Sequence, residues 1–208
     1  MEIVRFSHFT FTYPGASAPA LSDITLAVGA GQFVTLCGGS GSGKTTVLRC
    51  IKPTLAPHGA AAGEICFAGQ PTAALTQRAD CTEIGFVMQE PDAQIVTDKV
   101  WHELAFGLEN LGLPNAEIRA RVAETAAFFG IESWFDRDVS TLSGGQKQLL
   151  NLAAVMTMRP SLLLLDEPTS RLDPIAAERF FDVLVRINRE TGTTVILSEH
   201  RLDAAFAV

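Results

Sequence analysis

The stretch at 34–46, Val-Thr-Leu-Cys-Gly-Gly-Ser-Gly-Ser-Gly-Lys-Thr-Thr, constrains this chain more than any other. Gly38, Gly43, Lys44 and Thr45 fit G-x-x-x-x-G-K-[ST], the pattern of a phosphate-binding loop. Glycines at 38, 39, 41 and 43 permit positive φ and let the backbone approach a ligand closely. Successive N–H groups can then point inward as a nest for an anion. A helix starting near Gly43 adds its free N–H groups and dipole. Lys44 supplies a positive charge, and the Thr45 hydroxyl is placed to ligate Mg²⁺. Gln32–Leu36 reads as the strand before the loop and Thr46–Ile51 as the helix after it.

The chain has 208 residues, enough for one well-buried domain with a small subdomain. A net charge of −7 argues against nucleic acid as the main partner. The cysteines, at 37, 50, 66 and 81, are too far apart for a C-x-x-C motif. The start, Met-Glu-Ile-Val-Arg-Phe, carries no secretory signal, which implies reduced thiols in a cytosol. Cys37 reads as a small buried residue at a strand end. The most apolar stretch, Leu149–Leu165, is broken by Asn151, Arg159 and Pro160 and does not span a membrane.

In chain order, Ile3–Tyr13 alternates as a strand, with Tyr13 an edge aromatic before the Pro14-Gly15 turn. Asp23–Val28 is a second strand, Leu55–Gly63 a loop, Glu64–Phe67 a strand and Ile84–Met88 another. Beyond Pro91 the spacing turns helical, over Asp98–Asn110 and Asn115–Phe129, with Asn115 as N-cap and Gly130 as stop. No strand candidate falls between about 90 and 160, so a helical insert in an α/β protein is expected. Ser143 is a natural N-cap that leaves Gly144-Gly145 in a bare first turn. The helix 146–158 is apolar on most sides and should be buried. That start is either an ordinary helix beginning or a second anion site.

Leu162–Leu165 reads as a central parallel strand, closed by Asp166-Glu167 at its carboxyl end, where open α/β sheets bind ligands. Asp166 is a candidate Mg²⁺ ligand and Glu167 a candidate base for water. Asp173-Pro174 caps a helix running to Glu190, and Thr193–Leu197 is a further strand with His200 just beyond it.

Taken together, these residues make the chain resemble the ATP-binding cassette ATPases over nearly its whole length. Leu142-Ser-Gly-Gly-Gln146 is that family's signature, correctly placed before Asp166-Glu167. The resemblance implies an α/β P-loop NTPase fold: a RecA-like parallel sheet with an antiparallel β edge, plus a helical signature subdomain. It implies a nucleotide-binding core at 1–89 and 159–208 and a helical subdomain at 90–158. ATP would be held by Gly38, Gly39, Ser40, Gly41, Ser42, Gly43, Lys44, Thr45 and Thr46, with Tyr13 stacked on adenine. Mg²⁺ would be held by Thr45, Gln89 and Asp166. Glu167, His200 and Gln89 would be catalytic, and Asp173 would lie in the D-loop. Ser143, Gly144, Gly145 and Gln146 would cap the γ-phosphate bound to a second cassette, whether a copy, a paralogue or a fused domain.

Gln89-Glu-Pro-Asp-Ala-Gln94, Glu103-Leu-Ala-Phe-Gly-Leu-Glu109 and Ile196–Asp203 resemble the energy-coupling-factor group, especially its double-cassette members. That group implies uptake of a vitamin or transition-metal ion, a transmembrane coupling protein, a substrate-binding membrane subunit and a peripheral place on the cytoplasmic face. The alternatives are another importer class or a non-transport cassette ATPase of chromosome maintenance, repair or translation. The chain has neither heptads nor a basic patch to favour the latter. Arg171 departs from the small residue usual in the D-loop. Asp203–Val208 reads as a helix cut without a stop, which implies a longer protein.

Overall fold

The computed structural model describes residues 1–199. His200 and the segment Asp203–Val208 lie outside the described residues. The elements are β1 (Glu2–Thr12), β2 (Leu21–Gly29), β3 (Phe33–Cys37), α1 (Lys44–Ile51), β4 (Ala60–Phe67), β5 (Gln70–Pro71), α2 (Gln77–Glu83), β6 (Ile84–Val87), α3 (Pro91–Gln94), α4 (Val100–Asn110), α5 (Asn115–Phe129), α6 (Gly144–Met156), β7 (Leu162–Asp166), α7 (Pro174–Thr191) and β8 (Thr194–Glu199). They build a parallel sheet in the order β3-β8-β7-β6 and an antiparallel sheet in the order β2-β1-β4-β5.

The leucine run 162–165 is buried on both faces because the parallel sheet is covered on both sides. Leu162 and Leu164 face a cluster built with α1 and the antiparallel sheet, including Leu48, Ile51, Phe6 and Phe67. Leu163 and Leu165 face the opposite cluster, built with α4–α7. The two-residue side-chain period of a strand accounts for this division.

Two local readings change. The Ala-rich stretch 60–63 belongs to β4 rather than to a loop, because Thr10, Phe11 and Thr12 of β1 pair with Ala62, Ala61 and Ala60. Alanine's weak β preference gives way to that pairing. Asn115 is the first helical residue of α5, and Pro114 occupies the cap position with no side-chain bond. Gly130 does end that helix, in the left-handed conformation (φ 66°).

Register decides where the chemistry lies. Cys37 pairs with Glu199, and Asp166 with Ser198. The carboxyl ends of β3, β8 and β7 therefore stop at one level, and the loops that follow them meet there.

Candidate functional site

The loop from Gly38 to Gly43 joins β3 to α1 at that edge. Gly43 is left-handed at φ 95°, and a Cβ there would come within 2.9 Å of Ala20 O and Leu21 Cδ2. Only glycine meets both demands. Gly41 is also left-handed, at φ 77°. Ser42 N–H donates to Gly39 O at 3.3 Å, tightening the turn. Lys44 is 8% exposed and donates from Nζ to Gly38 O at 2.8 Å and to Gly39 O at 3.1 Å. Its Nζ lies 3.9 Å from Glu167 Oε1. Ser40 is exposed on the same loop.

Thr45 Oγ1 donates to Asp166 Oδ1 at 2.8 Å, joining residues 121 positions apart. This hydroxyl and carboxylate are hard oxygen donors that suit Mg²⁺. Among the described residues no group of three or more His, Cys, Asp and Glu side chains is placed to hold a metal.

Glu167 has a left-handed backbone, with φ 44°. A non-glycine residue in that region is strained, and such strain gathers at working sites. Gln89 Nε2 donates to Glu167 Oε2 at 3.1 Å and to Ser170 Oγ at 3.4 Å. Next to it, Arg171 pairs with Glu90 between the same two loops. Tyr13 reaches the site from the end of β1. Its hydroxyl lies 3.0 Å from Thr46 Oγ1, its ring meets Phe11 edge-on at 5.0 Å, and it stays 38% exposed.

Ser143 caps α6 through a capping box: its Oγ accepts from Gln146 N–H at 3.3 Å, and Gln146 Oε1 accepts from Ser143 N–H at 2.9 Å. The side-chain bonds of these residues close within that turn, apart from the phosphate loop, among the described residues. A Cβ at Gly144 would meet nothing within 4 Å, so this helix start is open to an incoming group. Asp173 Oδ1 accepts from Ala176 N–H at 2.9 Å and so caps α7.

The structure thus brings Gly38–Thr46, Tyr13, Gln89, Asp166 and Glu167 to one place. Ser143–Gln146 and Asp173 stand at other helix starts. His200 lies outside the described residues. Cys37 is exposed, not buried, because it is the last residue of β3, which among the described residues lies at the edge of its sheet.

Ser198 was missed by sequence reasoning. It is fully buried, donates to Asp166 Oδ1 at 3.0 Å, and accepts the Glu167 N–H at 3.0 Å. A hydroxyl interrupting a buried apolar strand was the available signal. Glu199, 3% exposed, accepts from Thr169 Oγ1 at 2.6 Å and steadies the loop after Glu167.

The family model for "ABC transporter" matches residues 21–170. An ABC transporter ATP-binding protein of Bacillus cereus is 50% identical over 199 residues, covering 96% of this chain and 36% of the relative. The energy-coupling factor transporter ATP-binding protein EcfA1 of Lactobacillus delbrueckii subsp. bulgaricus is 39% identical, covering 98% of this chain and 72% of that protein. Among solved structures, cbiO1 from Clostridium perfringens, part of the ABC transporter complex cbiONQ, aligns with a TM-score of 0.87 at 32% identity, over 98% of this chain and 80% of that one. A dimeric ATP-binding cassette in a post-hydrolysis state, bound to ADP and Pi, aligns at 0.82 and 27% identity, over 98% and 90%. The chain spans only about a third of the length of several curated relatives it matches, 36% in the Bacillus case.

Proposed function

The chain belongs to the ABC transporter family, and on that premise we propose that it binds and hydrolyses ATP to power a membrane transporter of energy-coupling-factor type. The observation that carries this reading is the meeting of Thr45 with Asp166, which sets the phosphate loop against the acids that end β7. The likeness to EcfA1 and to cbiO1 supports the transporter class and, through it, uptake of a vitamin or transition-metal ion.

The proposed roles rest on the family resemblance, with geometry and charge in support. The backbone of 38–43 and the ammonium of Lys44 cradle the β- and γ-phosphates, with Ser40, Ser42 and Thr46 completing the contacts. The half-exposed face of Tyr13 stacks on adenine. Thr45, Gln89 and Asp166 would hold Mg²⁺, which would supply positive charge against that building on the phosphoryl oxygens. Glu167 orients the attacking water and takes its proton, with Gln89 set on the same carboxylate. The resemblance gives His200 the γ-phosphate as its partner. Each cassette needs a second, whose Ser143–Gln146 turn closes over the γ-phosphate, with Asp173 beside the junction. The division into a core (1–89, 159–208) and a helical arm (90–158) lets the arm pass motion to a transmembrane coupling protein and its substrate-binding subunit.

No helix among the described residues is long and apolar enough to cross a membrane. Attachment to the cytoplasmic face would then come through those membrane partners.

The Glu167→Gln chain tests this. It should keep ATP affinity and lose at least about a hundredfold in turnover. Turnover at the unmodified rate would remove Glu167 from the mechanism.

A further inference from the structure

The loop that carries Gln89 is held from behind by α6. Gln148 Nε2 donates to Met88 O at 3.1 Å, and Asn151 Nδ2 donates to Pro91 O at 3.0 Å. Both amides are 1% exposed. Residues three apart lie on one helix face, so a single turn of α6 grips both ends of the segment containing Gln89 and Glu90. Gln94 closes the loop on its own strand, accepting from Met88 N–H at 2.8 Å and donating to Phe86 O at 3.0 Å. Lys147 adds an ion pair to Asp92 at 2.6 Å. Gln89 therefore leaves a tethered segment to reach Glu167.

Each of these two amides is only half satisfied. Gln148 Oε1 and Asn151 Oδ1 are buried with no hydrogen-bond partner among the described residues. A buried polar atom without a partner is unfavourable, so each amide offsets part of the stability it gains by satisfying Met88 O or Pro91 O. What the amides do achieve is a fixed geometry between α6 and the backbone on either side of Gln89.

We propose that Gln148 and Asn151 are positioning residues for hydrolysis. They set the Gln89 amide on the Glu167 carboxylate. They also tie that pair to the helix whose first turn is Ser143–Gly145, so a displacement of one reaches the other. The proposal rests on the ATPase reading above.

The test uses Gln148→Leu, Asn151→Leu and their combination, each alone and combined with Gln89→Ala. The readouts are kcat and KM for Mg-ATP by phosphate release, thermal unfolding, and amide hydrogen exchange over residues 88–94. The combined leucine chain should unfold somewhat earlier, because Met88 O and Pro91 O lose their donors, but should stay folded at the assay temperature. Its KM should stay within about twofold while kcat falls about tenfold or more. Exchange over 88–94 should rise. With Gln89→Ala already present, the leucines should lower kcat no further, because groups acting through one residue are not additive. If leucine packs poorly, Gln148→Met keeps the side chain's length and should give the same split. Unchanged exchange, unchanged kcat, or losses that add to that of Gln89→Ala would overturn the proposal. An unmodified chain that neither binds Mg-ATP nor turns it over, beside variants with raised exchange, would overturn the ATPase reading and leave the clasp standing.

Discussion

The backbone amide of Glu167 donates to the hydroxyl of Ser198 at 3.0 Å, across neighbouring parallel strands. The same hydroxyl donates onward to Asp166 Oδ1, which also accepts from Thr45. One fully buried serine thus fixes the strained backbone of the proposed base and one oxygen of the proposed metal ligand. Replacing Ser198 by alanine leaves the Glu167 N–H short of a partner. It should cost about 1–3 kcal/mol of stability. Turnover should fall about tenfold with little change in nucleotide affinity, since Glu167 would lose its fixed direction. Urea unfolding and steady-state phosphate release measure the two effects, and an unaltered kcat would show that Ser198 supports only the fold.

Behind the site, Lys52 and Asp80 form a buried ion pair at 3.3 Å, with Lys52 8% and Asp80 1% exposed. Lys52 Nζ also donates to Asp80 O at 2.6 Å and Ile84 O at 2.7 Å, and Asp80 Oδ2 accepts the Thr54 N–H at 3.0 Å. The pair joins the end of α1 to α2 and to the start of β6. Lys52→Met strands a buried carboxylate and should cost about 3–5 kcal/mol. For a chain of this length that lowers Tm by roughly 10 °C. A calorimetric scan showing a shift under a degree or two would mean that the carboxylate finds another partner.

The thiols should divide by position. Cys37 and Cys81 are exposed, whereas Cys50 is buried and its environment pushes its pKa up to about 11. A raised thiol pKa keeps Cys50 protonated at any pH well below that value, and the thiolate is the reactive form. Maleimide at pH 7.5 should therefore modify Cys37 and Cys81 and leave Cys50 intact, read by peptide mass mapping. Cys37 adjoins Gly38, so Mg-ATP should slow its labelling and not that of Cys81. Equal protection of both would place the nucleotide elsewhere or point to a global change.

The phosphate loop was legible because its function needs particular residue types at fixed spacing, which the chain writes contiguously. Leu142–Gln146 and the acids after the leucine run are likewise written contiguously, which is why they could be singled out as candidates. Helix ends with a local chemical cause were legible too: Ser143 and Asp173 do cap their helices, and Gly130 does stop one. Residues 60–63 and Cys37 were misread because their state depends on partners far away in sequence. Thr10–Thr12 draw the alanines into a strand, and the place of β3 at the sheet edge leaves Cys37 in the open.

The sequence by itself determined the family and the order of the parts, since glycine-rich turns, caps and buried parallel strands each arise from short-range stereochemistry. The tertiary structure alone decided which distant groups meet: Thr45 with Asp166, Ser198 with Glu167, and Gln148 and Asn151 with the loop that carries Gln89. Those meetings follow from strand register and from how α6 packs behind β6, and both are set by burial summed over the whole chain, which no local stretch encodes.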